Sequence, residues 1–402
     1  MLRDPDPGRS PFPRAAGATM ASVLVAAIAV GAVALYGAVV GADTPRWGDG
    51  PAVLVEKETG ARLVYREGKL HPVPNHVSAL LILGPTTRTT LVSQGAIEGL
   101  PRGVPLGIDG APDAVPDPRR LATGAWTVCS TSEGVAVLVG AAAEGGAPLA
   151  ERGLLVRAGD ETHLIWQRRR HLLRDRELVV SALGWTGARP TAIAPPLLAA
   201  LPKGPDLARV PIPGAGGDAS APPGAAVGDV FVVESQGGAR QYAVALAGGL
   251  APITQLQADL LLTQLDQDEP ARLAQGAFAD LPHVAGPDAA GLPPTTPALA
   301  PTGGPVCAVV PDAAGASEVR VGGAVPRTGV VVPPGGAALV EAGEIFLVTD
   351  RGRRHAMSDR EVPALLGYAE IRPLALPPAV VGLVPEGVRL DPAVAGAPHP
   401  PR

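Results

Sequence analysis

A segment that comes round four times decides more about this chain than any single motif. The stretches ARLVYREGKLHPVPNHVSALLIL (61–83), THLIWQRRRHLLRDRELVVSAL (162–183), QYAVALAGGLAPITQLQADLLL (241–262) and IFLVTDRGRRHAMSDREVPALLGY (345–368) align on His355. Each has a β-type apolar run, a turn, a short apolar pair and a polar step into a segment rich in Leu, Val and Ala. Three of the turns hold a glycine, at Gly68, Gly248 and Gly352. A further apolar run precedes each copy: PAVLVEKE (51–58), RGLLVRAG (152–159), VGDVFVVE (227–234) and GAALVEAG (336–343). Every unit therefore predicts a β-hairpin followed by a helix. Ser358 with Glu361 and Thr254 with Gln257 have capping-box spacing, and Asn75 and Asp175 stand where they can cap the other two helices.

Repetition changes the meaning of the Arg and His cluster at 351–355. The matching place holds Lys69 and His71 in one copy, Arg169, Arg170 and His171 in another, and Gly249, Leu250 and Ala251 in the third. Chemistry does not survive that replacement, so solvated turns are expected, with a basic contact surface as the alternative.

The copies also fall into two tandem halves. Cys129 and Cys307 recur at nearly the same offset as the hairpin units, and LLAALPKGP (197–205) returns as AVVGLVPEGV (379–388). The cysteine segments WTVCSTSEGVAVLVG (126–140) and GPVCAVVPDAAGASEVRVGG (304–323) both place a β-run after the cysteine. Neither cysteine has a CxxC partner or metal-ligand spacing with histidine, and an even count in an exported region predicts one disulfide. A pseudo-two-fold axis would let equivalent cysteines bridge within a shared central sheet. Composition shifts mark linkers at 212–226 and 286–305.

Ahead of the repeats, ATMASVLVAAIAVGAVALYGAVVGA (18–42) is uncharged and long enough to cross a bilayer core as a helix. Arg3, Arg9 and Arg14 precede it and predict a cytoplasmic N-terminus with the bulk of the chain outside. A cleaved signal peptide, processed near Gly41 and Ala42, is the alternative. Gly37 and Gly41 form a small-xxx-small pair suited to close helix packing. The net charge of -5 and pI near 5.8 give no basic field for nucleic acid. Aromatics are only 3%, so packing must rest on Val, Leu and Ala.

Several short sequences, taken in order, carry a family resemblance: RWGDGPAVL (46–54), PLGIDGAPDAV (105–115), WTVC (126–129), PIPGAGG (211–217), LVTDRGRRHAMSDREVPALLGY (347–368) and VPEGVRLDPAV (384–394). Together they resemble the EccB family, a core membrane component of the type VII (ESX) secretion system of actinobacteria, over almost the whole chain. The resemblance implies an α+β fold: a single N-terminal transmembrane helix, then an elongated periplasmic region of four β-hairpin/helix repeats flanking a central, disulfide-bearing β-sheet, pseudo-two-fold symmetric. It also implies an inner-membrane location. The partners would be copies of this chain, the motor ATPase EccC, the channel protein EccD, EccE and the mycosin protease. Family members usually carry a longer cytoplasmic segment than residues 1–14, which puts that segment's contacts in doubt here.

The expected organisation is a short N-terminus (1–14), the span (15–42), and repeats at 51–90, 151–210, 227–285 and 331–390. Two halves of a central domain are expected at 91–150 and within 286–330, with a linker at 211–226 and a flexible tail at 391–402. No catalytic, cofactor or metal residue is expected. Some family members are named ATPases, yet no G-x-x-x-x-G-K-[ST], HExxH or G-x-S-x-G occurs, and PGAGGDAS (213–220) reads as linker. Asp350, Asp359 and Glu361 read as turn and cap residues. A scaffold subunit is the expected function, with a cell-wall-binding module or a periplasmic hydrolase as alternatives.

Overall fold

Short runs of Val and Leu separated by glycine-bearing turns become strands, because branched side chains pack well on a pleated surface. The computed structural model describes residues 12–40, 52–85, 87–235, 237–314 and 317–398. In chain order the first repeat supplies β1 (Ala52–Glu56), β2 (Arg62–Arg66), β3 (Lys69–Val73) and β4 (Arg88–Val92). The first cysteine segment follows with β5 (Trp126–Thr131), β6 (Gly134–Leu138) and β7 (Ala147–Pro148). Repeat two holds β8 (Leu154–Ala158), β9 (Glu161–Trp166), β10 (Arg169–Leu172) and β11 (Thr191–Ala192). Repeat three holds β12 (Val230–Glu234), β13 (Arg240–Leu246), β14 (Gly249–Ile253) and β15 (Ala271–Leu273). The second cysteine segment gives β16 (Val306–Val310), β17 (Glu318–Val321) and β18 (Gly329–Val331). Repeat four closes with β19 (Ala337–Glu341), β20 (Ile345–Thr349), β21 (Arg354–Ala356) and β22 (Leu374–Ala375).

Each repeat is more than a hairpin. Its first three strands form an antiparallel meander, and a fourth, reached through a helical segment, returns parallel to the first. The resulting order is the same four times: β3-β2-β1-β4, β10-β9-β8-β11, β14-β13-β12-β15 and β21-β20-β19-β22. The helices are fixed at their starts by local chemistry. Asn75 accepts from the Ser78 amide at 2.8 Å, and Thr254 and Gln257 form the reciprocal capping box. Two expected caps differ. Asp359, not Ser358, accepts from Glu361 and Val362, because its carboxylate reaches both amides. Asp175 makes no side-chain cap and faces Arg209 instead.

The chain divides into two compact units. The first contains the first sheet, Ala364–Gly367 and the chain from Pro392 onward. Leu54, Leu63, Leu70 and Ile97 fill one face of its sheet, and Val53, Val64 and Ala79 fill the other. Residues 94–106 pack here too, so the expected boundary at 90 falls inside β4. The helix Pro392–Ala395 packs on the helix His76–Leu83, Ala395 is fully buried, and Pro398 bridges to Leu106. The segment expected as a flexible tail is therefore docked through residue 398; residues 399–402 lie outside the described part.

The second unit is built around the six-stranded sheet β18-β6-β5-β16-β17-β7. Side chains alternate across it. Trp126, Val128, Ala308 and Val310 meet Leu154, Val156 and Ile165 of repeat two and Ala338, Val340 and Val348 of repeat four. Cys129, Ala136, Leu138 and Cys307 point to the opposite face. Repeats two and three share a further core, in which Leu155, Leu164 and Val179 pack with Val230, Val244 and Leu260. The stretch 211–226, expected as a linker, is partly structured: Ala221 is buried and Asp218 bridges to Ala226.

Candidate functional site

Two constructions stand out from the repeats: the joint between the halves, and a histidine clamp that recurs. At the joint, β5 and β16 run antiparallel with Cys129 directly opposite Cys307. Their Cα atoms are 4.0 Å apart and the two are disulfide-bonded. The strands then exchange across the joint. β18 of the second half pairs with β6 of the first, and β7 of the first half pairs with β17 of the second. The first of these pairings is parallel and the second antiparallel.

The clamp begins at the outer edge of each meander. After every helix a Pro-x-Gly triplet, or its equivalent, lays a strap along the third strand. In repeat two, Arg170 donates its amide to the Pro202 carbonyl at 3.0 Å, and Gly204 returns one to Arg170 at 2.9 Å. Leu70 with Pro101 and Gly103, and Arg354 with Pro385 and Gly387, repeat the pattern in repeats one and four. The adjacent histidine then locks the strap. His71, His171 and His355 donate through Nδ1 to the carbonyls of Val104, Pro205 and Val388 at 2.8, 2.8 and 2.9 Å. A carbonyl only accepts, so each ring carries its proton on Nδ1. Each strap glycine lies flat against its ring, and a Cβ added to Gly103, Gly204 or Gly387 would stand 2.2, 2.4 or 2.4 Å from the imidazole.

These histidines were expected in solvated turns, and for His171 and His355 the structure corrects that, whereas His71 is half-buried. His171 and His355 are buried; only their arginine neighbours reach solvent, because the strap covers the ring and leaves the turn outside. Burial, reinforced by Arg169 and Arg353, pushes both imidazoles below the ordinary histidine range, against the raising effect of the strap carbonyls. Repeat three keeps the backbone strap, with Leu250 bonded to Pro282 and Val284 to Leu250, but has Ala251 for the histidine and Val284 for the glycine. Ring and glycine are lost together. The signal in the sequence was the coincidence of His with PRG (101–103), PKG (202–204) and PEG (385–387), and of Ala251 with PHV (282–284).

Other candidate residues take structural places. Asp350 accepts from the Gly335 amide at 2.9 Å. Among the described residues no group of three or more His, Cys, Asp or Glu could hold a metal. A cavity of about 970 Å³ lies in repeat three beside Arg240, Tyr242, Pro252, Phe278 and His283. Its lining carries no carboxylate, lysine or cysteine, and Arg240 is paired with Glu234 at 3.2 Å.

The helix Phe12–Val40 starts ahead of the expected span at residue 15. Its window Ala18–Leu35 has mean hydropathy 2.3 with no part buried. Met20, Leu24, Ile28 and Leu35 are all exposed, and each such side chain gains roughly 1.5–3 kcal/mol on leaving water. A helix apolar on every side fits lipid. Gly37 lies on this helix, whereas Gly41 is outside the described residues.

Comparison with known proteins places these features. The chain matches, over residues 1–400, the family described as "Type VII secretion system ESX-1, transport TM domain B". The ESX-3 secretion system ATPase EccB3 of Mycolicibacterium smegmatis is 33% identical over 401 residues, covering 85% of this chain and 76% of that protein. The ESX-2 secretion system ATPase EccB2 of Mycobacterium tuberculosis is 32% identical over 252 residues, covering 59% of this chain and 48% of that protein, so the match spans about half of its length. Among solved structures, a chain of an intact ESX-5 inner membrane complex superposes with a TM-score of 0.74 at 25% identity, covering 98% of this chain and 90% of that one. The EccB3 dimer from the ESX-3 core complex gives 0.70 at 30% identity, covering 86% of this chain and all of the other.

Proposed function

The chain belongs to the EccB family of type VII secretion membrane proteins, and from that premise we propose that it is a structural core subunit of an ESX-type secretion complex in the inner membrane. The observation that carries this reading is the pairing of one all-apolar helix, Ala18–Leu35, with an α+β body whose fold matches a chain of an intact ESX-5 inner membrane complex. In this reading the helix anchors the chain once in the membrane. Arg3, Arg9 and Arg14 hold the N-terminus in the cytoplasm, and the disulfide-bearing body lies in the oxidising compartment outside.

The body assembles with copies of itself, as the dimeric relative does, and with the motor ATPase EccC, the channel protein EccD, EccE and the mycosin protease. No nucleotide site is assigned to this chain, although its relatives are named ATPases: the Walker sequence that cradles phosphates does not occur in it. Gentle detergent extraction of the native membrane, followed by sizing and mass identification, tests the reading. Recovery in a very large assembly with a motor ATPase and a multi-span channel protein is the expected result; recovery as a lone monomer or dimer overturns it.

A further inference from the structure

We propose that the clamps of repeats two and four are acid-released latches, in which protonation of His171 and His355 frees the Pro-x-Gly straps and uncovers the outer edges of β10 and β21. The geometry sets this up in three ways. First, Nδ1 already donates to the strap carbonyl, so an added proton must go to Nε2. The Nε2 of His171 is buried with no hydrogen-bond partner among the described residues. At His171 a proton there creates a buried, unsatisfied cationic donor, and leaving the strap is its route to water; at His355 the latch rests instead on the buried ring and the arginines beside it.

Second, cations outnumber free carboxylates around each ring. Around His171 the strap brings Lys203 and Asp206, and its own strand brings Arg169 and Arg170. Asp206 favours a charged ring, but its carboxylate is shared with Arg174 at 2.6 Å and Lys203 at 3.7 Å. The neighbouring strand offers Leu164 opposite the ring, with Trp166 6.4 Å away between centroids. Around His355 stand Arg353 and Arg354, while Glu386 of the strap is paired with Arg354 at 3.5 Å and Arg389 with Glu344 at 3.1 Å. The strand opposite brings Leu347. Third, the straps occupy sheet edges. Leu207 donates to the Leu172 carbonyl at 2.8 Å and Leu390 to that of Ala356 at 2.7 Å, so release opens a row of backbone groups ready to pair with another strand.

The direction of the effect follows from linkage. An unlatched imidazole titrates near its ordinary value of about 6.5, while the latched one is pushed lower by burial and by Arg169 or Arg353. Between the two values the open form binds more protons, so latch stability is complete above about pH 6.5 and falls as pH drops through that value, until the latched imidazole itself titrates. At pH 5.5 the open-to-latched ratio rises by up to about tenfold per histidine.

Repeat three is a control built into the chain. It has the same backbone strap without a clamping ring, and its own His283 is exposed and bonded through Nε2 to the Phe278 carbonyl. Hydrogen exchange on the full chain in detergent, at pH 7.5 and 5.5 and corrected for intrinsic rates, reads the straps directly. Protection at Gly204, Leu207, Gly387 and Leu390 is expected to fall by up to about tenfold, with Val284 unchanged. His171→Asn and His355→Asn, whose amides can still donate at the Nδ1 position without titrating, are expected to keep protection at pH 5.5. No loss, an equal loss at Val284, or a loss that persists in the Asn variants overturns the proposal. Ring-labelled histidine NMR of the unmutated protein needs no variant to fold: midpoints for His171 and His355 below 6.5 support the latch, and midpoints at or above it overturn it.

Discussion

Gly204 constrains His171 as much as the imidazole's own hydrogen bond does, because a single methyl group there has nowhere to go. The Cβ of an alanine at 204 would stand 2.4 Å from Cε1 of a fully buried ring, and a collision in a packed interior costs about 1–3 kcal/mol. His171→Ala instead removes the ring and the hydrogen bond to the part-buried Pro205 carbonyl, a loss of about 0.5–1.5 kcal/mol before the packing of the ring is counted. The double variant restores the kind of pairing that repeat three already uses at Ala251 and Val284. The two substitutions are therefore expected to be strongly non-additive, the double variant costing about 1–3 kcal/mol less than the sum of the singles. The check is local opening free energy at Leu207, since local exchange does not require the whole chain to unfold in one step. Additivity within about 0.5 kcal/mol would mean that ring and glycine are not the coupled pair described here.

Elements divide into those the sequence announces and those it hides, and the dividing line is physical. Meander strands such as VLV at 53–55 and IFLV at 345–348 carry enough consecutive branched or apolar residues to be read without coordinates. Two of the fourth strands do not: β11 and β22 are two residues long, too short for any periodicity, and exist only because the first strand of each sheet offers a free parallel edge. The straps were hidden for the same reason, being isolated backbone bridges rather than continuous strands. Caps were legible where one side chain decides, as at Thr254 and Asn75, and misread where two candidates adjoin, as at Ser358 and Asp359. The cysteines were legible as a pair, yet their facing register belongs to the sheet. Because β5 and β16 are paired through five facing positions besides being bridged, changing both cysteines to alanine is expected to keep the fold, with far-UV circular dichroism unaltered. It should nevertheless lower stability by about 5 kcal/mol, the chain-entropy value for releasing a loop of 178 residues. Denaturant midpoints of the oxidised protein and the double variant decide it, and equal midpoints reject a stabilising bridge.

At the scale of the whole molecule, the chain's last described residues belong to the same compact unit as its first sheet. DPAVAGAPHPPR reads as loose because alanine and proline show no apolar period. Docking depends instead on smallness. Ala395 is fully buried where its short helix meets His76–Leu83, Gly396 lies against the Arg66 guanidinium, and Pro398 bridges to Leu106. The first unit thus lacks part of its own surface until residues 392–398 have been made. Ending the chain after Asp391 uncovers the side of helix His76–Leu83 on which the helix Pro392–Ala395 packs, and removes the bridge at Leu106. Exchange protection is expected to fall along residues 76–83 and 104–108 while residues 126–138 of the central sheet keep theirs, because those strands pair with each other and with β16 and β18 within the second unit. Loss of protection in both regions would mean that the C-terminal segment supports the whole chain rather than one unit, and no loss in either would mean that the docked segment contributes nothing to the sheet beneath it.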